Sequence, residues 1–132
     1  MVTVTGIFLI LHGLVHLLYF GQSARYFELQ SGMKWPDNSW LFSPFFKKRA
    51  VRVLACNLCI LAALGFIISG ITLFEHLTNW YFLTISSSVF STSIYFALWN
   101  GKPEKLNDQG AIAILINTII AASILIFHWP EI

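Results

Sequence analysis

Residues 6–20 read GIFLILHGLVHLLYF, an apolar run with two histidines, His12 and His16, in its middle. A segment this apolar belongs in a bilayer, and a titratable side chain within such a segment is costly unless it faces the protein interior. A spacing of four residues puts both imidazoles on one face of one helix. The rest of the chain is therefore expected to pack around that face.

Three more apolar stretches follow, near Val51–Phe74, Trp80–Trp99 and Gly110–Trp129. Each approaches or exceeds the roughly 20 residues a helix needs to cross about 30 Å of hydrocarbon. Of the 132 residues, 57% are hydrophobic and 11% charged, and the mean hydropathy is +0.72, outside the range of soluble domains. Isolated strands would leave backbone groups unsatisfied in lipid, and the alternation of a barrel is absent. The expected fold is all-α: a polytopic membrane protein forming one four-helix transmembrane bundle over residues 1–132, with spans at about 3–20, 51–74, 80–99 and 110–129. The first span has no basic flank before it and no small-residue cleavage site after it, so it is expected to be retained rather than removed as a signal.

Charge placement sets a direction. Arg25, Lys34, Lys47, Lys48, Arg49 and Arg52 lie between the first two spans, Lys102 and Lys105 between the last two, and the opposite side has no Lys or Arg. By the positive-inside rule, loops 21–50 and 100–109 are expected in the cytoplasm and both termini outside, in a prokaryotic cytoplasmic membrane. Loop 21–50 contains Tyr26, Phe27, Trp35, Trp40, Phe42, Phe45 and Phe46, with Pro36 and Pro44 breaking any continuous helix. Two readings fit it equally: a segment on the membrane surface, with a short interfacial helix around Ser23–Ser31, or a loop folded over the bundle end.

Each helix offers one distinctive stripe. The first carries Thr5, Leu9, His12, His16 and Tyr19; the second Ala55, Cys59, Ala62, Gly65, Ser69, Thr72 and His76, whose small residues permit close backbone approach. The third carries Thr84, Ser88, Ser91, Thr92 and Tyr95, and the fourth Gly110, Ala113, Asn117, Ala121, Ile124 and His128. Asn107 or Asp108 is the expected N-cap of the fourth helix. At about 1.5 Å per residue, His12, Asn57, Cys59, Ser91, Thr92 and Asn117 fall in one layer roughly 10–13 Å deep, with His16 and Tyr95 nearer the cytoplasmic surface. Two readings of this layer stand: a hydrogen-bond network that pins helix register, or a cytoplasm-facing site for a small molecule, lipid or ion, with neutral imidazole as the resting form. The candidate ligand-binding residues are His12, His16, Asn117, Tyr95, Ser91, Thr92 and Cys59.

Other chemistries find less support. H-x-x-x-H puts two metal ligands on a helix face, but no buried carboxylate supplies a third, and His/His/Cys with Cys59 would be needed. His12 and His16 share a helix and cannot be two axial ligands of one haem. His76 and His128, with Glu75 and Glu131, offer an outer metal set, against which interfacial placement beside Trp is the simpler reading. Cys56 and Cys59 spell C-x-x-C, but in a reducing compartment and without a second pair they read as small buried residues. No nucleophile motif, phosphate loop or nucleic-acid surface is present. The expected partners are thus the lipid bilayer, a small-molecule or lipid ligand, and a second copy or a larger membrane protein for which this chain would serve as an accessory subunit. A metal- or haem-dependent membrane oxidoreductase is the third alternative; no cofactor is identifiable.

His12-Gly13-Leu14-Val15-His16, Ser39-Trp40-Leu41, Trp99-Asn100-Gly101-Lys102 and the segment from Gly110 to Asn117 resemble a group of small prokaryotic four-span membrane proteins of uncharacterised function. The His12-Gly13 step also resembles that of DoxX-like membrane proteins, which implies four helices with a glycine in the first; His16 stands where those proteins carry a basic residue.

Overall fold

The computed structural model describes residues 1–106 and 109–131. Its helices are α1 Val2–Ser23, α2 Lys48–Phe74, α3 Trp80–Leu98 and α4 Ala111–Phe127, with a 3-10 turn at Pro103–Lys105 ahead of α4. No strand occurs among the described residues. Helices α1, α2 and α3 have 22, 27 and 19 residues and are long and apolar enough to cross a membrane, which makes this a membrane protein. Helix α4 is apolar but only 17 residues long, shorter than the span expected at 110–129. Left-handed backbone stops it at both ends, with φ of 109° at Gly110 and 51° at His128. Gly110 precedes the helix, and the N-cap expected at Asn107 or Asp108 lies outside the described residues.

The helices pack in chain order, α1 on α2, α2 on α3 and α3 on α4. The first pair is held by direct backbone contact. A Cβ on Gly70 would sit 2.7 Å from the Gly6 carbonyl oxygen, and one on Gly13 would sit 2.9 Å from that of Ala63. Neither position has room for a side chain, which is how small residues join helices in lipid. Two apolar clusters fill the bundle. One, with Trp35, Val51, Ala55, Cys59, Tyr95 and Leu98, lies toward the two polar loops; the other gathers Leu9, Phe66, Leu73, Trp80, Ile120 and Ile124. Leu11, Leu14, Leu18, Leu61, Leu64, Ile112, Leu115 and Ile119 stay exposed, as lipid-facing positions should.

The long loop folds over the bundle end rather than lying on the surface, and the interfacial helix expected near Ser23–Ser31 does not form. Helix α1 continues to Ser23, then Arg25 turns left-handed at φ 64°. The Gln22 side chain prevents a new helix by taking the backbone for itself. Its Oε1 accepts from Leu29 N at 2.8 Å and its Nε2 donates to the Met33 carbonyl at 3.0 Å. Asp37, 6% exposed, gathers both flanking arginines: Arg25 Nη2 lies 2.8 Å from Oδ1, and Arg52 donates from Nε and Nη2 at 2.6 and 2.5 Å. Ser39 Oγ donates to the Ala97 carbonyl at 2.6 Å, and Trp40 N to that of Trp99 at 2.8 Å, tying the loop to α3 and bringing both polar loops to one end. The rim still shows Tyr26, Trp40, Phe45 and Phe46 to the surroundings.

Two outcomes test this architecture. Gly70→Ala drives a methyl group into the Gly6 carbonyl and should cost about 1–3 kcal/mol, read as earlier thermal unfolding in detergent, whereas lipid-facing Leu61→Ala should stay within about 0.5 kcal/mol. Burial pushes the Asp37 carboxyl up, but the Arg52 hydrogen bonds and the charges of Arg25 and Arg52 outweigh it and hold the group below its ordinary value. A depressed folded value stabilises the ionised form, so the clasp persists above a pH of about 4 and is lost as pH falls through the lowered value. Proteolysis of the 24–47 loop should therefore stay slow from neutral pH down to about 4 and accelerate below it. In Asp37→Asn it should be fast throughout.

Candidate functional site

Between the two apolar clusters, three helices contribute polar side chains to one buried network. His12 and His16 reach it from one face of α1, Ser91 and Thr92 from α3, and Asn117 from α4. His12 Nε2 is 2.8 Å from Asn117 Oδ1. Asn117 Nδ2 donates to Ser91 Oγ at 2.8 Å and to Thr92 Oγ1 at 3.3 Å. His16 Nε2 lies 2.7 Å from Ser91 Oγ, and His16 Nδ1 2.9 Å from the His12 carbonyl. His16 and Ser91 are fully buried, Asn117 is 1% exposed and His12 4%.

These partners determine the protons. A carbonyl oxygen only accepts, so His16 Nδ1 carries hydrogen and Nε2 accepts from the Ser91 hydroxyl. Ser91 is thereby free to accept from Asn117, whose amide nitrogen has no alternative but to donate. Asn117 Oδ1 must then accept from a protonated His12 Nε2. A single directed arrangement satisfies every bond with both imidazoles neutral and in opposite tautomers. One imidazole nitrogen is left with an unused lone pair, His12 Nδ1. A proton arriving there breaks nothing, whereas one arriving at His16 Nε2 displaces the Ser91 hydrogen.

Aromatic rings enclose the pair. Phe66, fully buried, meets His12 edge-on with ring centroids 4.6 Å apart and His16 at 5.4 Å, while Phe8 stacks on His12 at 6.0 Å and 9°. Tyr95 lies 5.7 Å from His16, but its hydroxyl is buried without a hydrogen-bond partner among the described residues. Cys59 packs in the same apolar cluster as Tyr95 and bonds to no member of the network. Asn57, expected in this layer, is exposed on another face of α2. Trp35, 2% exposed, packs against Tyr19 and Tyr95 at 5.3 and 6.1 Å and covers the end toward which the site was expected to open.

Among the described residues, no three His, Cys, Asp or Glu side chains converge as a metal-binding group. His76 and His128 instead take the left-handed positions that terminate α2 and α4, with φ of 54° and 51°. Sequence reasoning missed Phe66, although its register with Ala62 and Ser69 puts it on the packed face of α2. It also missed Gln22 and Asp37, whose partners lie in an irregular loop with no periodicity to read.

Ser91→Ala removes both an acceptor and a donor and should destabilise the protein by about 1–3 kcal/mol. Imidazole 15N shifts in lipid should report His12 protonated at Nε2 and His16 at Nδ1. In Ser91→Ala both tautomers should persist, His16 Nδ1 still donating to the His12 carbonyl, while the His16 Nε2 shift moves with the loss of its hydrogen-bond donor.

Searches of protein-family models, of curated proteins and of solved structures each return no match to this chain.

Proposed function

We propose that this chain is an integral membrane protein that binds a small molecule at the His12–Asn117–Ser91–His16 network, with proton uptake at His12 controlling its hold. The observation that carries this reading is the 2.8 Å bond from His12 Nε2 to Asn117 Oδ1. Asn117 also lines a crevice open to the outside of the bundle between α3 and α4. One amide thus links a titratable ring in the core to a surface that a ligand can reach. Register alone is served by hydroxyls and amides, whose interhelical bonds average about 0.6 kcal/mol; two enclosed imidazoles in opposite tautomers add a proton-sensitive element. Protonation of His12 Nδ1 puts a positive charge in a pocket walled by Phe8 and Phe66. That charge strengthens the donor facing Asn117 and alters what the amide offers a ligand. We assign the loop-bearing end to the cytoplasm and both termini to the outside on the distribution of Lys and Arg.

Native mass spectrometry of the protein released from lipid nanodiscs tests this. A discrete added mass on the native chain is expected, weakened on acidification and absent in His12→Ala/His16→Ala. An adduct indifferent to both would end the reading. Release only together with another protein would favour the accessory-subunit alternative.

A further inference from the structure

The site described above has a lateral entrance, and its chemistry limits what enters. The crevice between α3 and α4 has a volume of about 390 Å³ and is walled by Ser88, Val89, Thr92, Asn117, Ala121 and Ala122, among others. Hydroxyls in hydrocarbon normally return a hydrogen bond to their own helix. Two on this wall do so: Ser93 Oγ donates to the Val89 carbonyl and Thr118 Oγ1 to that of Ile114, each at 2.8 Å. Ser88 and Thr92 do not. Ser88 is 2% exposed and its Oγ has no partner among the described residues. Thr92 Oγ1 accepts from Asn117 Nδ2 at 3.3 Å, and no acceptor among the described residues takes its own hydrogen. Two hydroxyl donors are therefore unspent, that of Thr92 within the network on the crevice wall and that of Ser88, whose Oγ is buried where its residue lines the crevice, in a medium where water cannot claim them.

Neither α3 nor α4 contains Asp, Glu, Lys or Arg, so the crevice has nothing to balance a charged ligand. Asn117 lies about 9 Å along α4 from its first residue, below the level of lipid headgroups. The other approach, from the loop end, is occupied by Trp35. We infer that the intramembrane site is entered sideways from the bilayer, between α3 and α4, by an uncharged membrane-dissolved molecule whose carbonyl oxygen accepts hydrogen bonds from Thr92 and Ser88. This inference rests on the site proposed above and adds its access route and ligand class.

Photo-crosslinking of the full-length protein in nanodiscs of ether-linked phosphatidylcholine tests it, with a long-chain methyl ketone bearing a mid-chain diazirine as probe. Adducts are expected on Val89, Ala121 and Ala122, competed by the unmodified ketone and not by the alkane of the same length. Labelling should fall about tenfold in Ser88→Ala/Thr92→Val, as expected for the loss of two hydrogen bonds, while the imidazole 15N shifts confirm an intact fold. Ala122→Trp should block it by filling the crevice. Equal competition by the alkane, undiminished labelling in the double variant, or adducts on Val4, Phe8 and Ile119 in the apolar gap between α1 and α4 would each overturn the inference. So would suppression of labelling in ester-linked lipid, because the bilayer's own carbonyls would then be the occupant. Crevice labelling that survives His12→Ala/His16→Ala would uphold the entrance and ligand class while removing the histidines from the function.

Discussion

A hydrogen atom on nitrogen or oxygen inside a bilayer has few places to go, and the arrangement of this protein follows from how each one is placed. The Asn117 amide is the junction at which that requirement is most demanding. It offers two donors and an acceptor, and it sits where one imidazole, one serine and one threonine from two other helices supply the matching groups. Rotating α1, α3 or α4 by one residue would strand several of these at once, each at a cost of the order of 1–3 kcal/mol. Backbone contact at Gly13 and Gly70 sets how near α1 comes to α2; the Asn117 junction sets how α1, α3 and α4 face one another.

The loop end obeys the same requirement in a wetter setting. Charged groups can be half-buried there because they find one another: Asp37 pairs with Arg25 and Arg52 at once, and Arg25 also donates to the carbonyls of Gln22, Trp35 and Lys34. Trp35 is thereby fixed over Tyr95, and the network below it is closed on that side. A bundle closed at its polar end and grooved along its flank is suited to molecules that arrive through the lipid.

The fold was legible because hydrocarbon imposes a long, simple pattern: runs of Leu, Ile, Val and Phe with polar residues recurring at helical spacing. The same periodicity brought His12, His16, Ser91, Thr92 and Asn117 onto converging faces, and the structure joins them. Tyr95 and Cys59 share the stripe but not the hydrogen bonds, since periodicity reports which face a residue occupies and not whether its polar atom finds a partner. Asn57 shows the limit from the other side: a position along the helix axis does not specify the angle around it, and Asn57 turns outward. The loop was least legible. Gln22 capturing Leu29 and Met33, and Asp37 capturing two arginines, are contacts between irregular segments that no repeating pattern announces.

The four helices differ in length, and the surrounding lipid must accommodate this. Helix α4 has 17 residues and α2 has 27, which correspond to about 25 and 40 Å of rise. Hydrocarbon about 30 Å thick overshoots the first and falls short of the second. The mismatch has opposite signs at the two helices: α4 is short of such a layer, and the excess of α2 can be taken up by tilt or by placing its basic first turn, Lys48 and Arg49, among the headgroups. A helix as short as α4 is a mismatch that a bilayer meets by thinning, by snorkelling of flanking residues or by association of protein chains, so membrane thickness becomes a variable for the flank that carries Asn117.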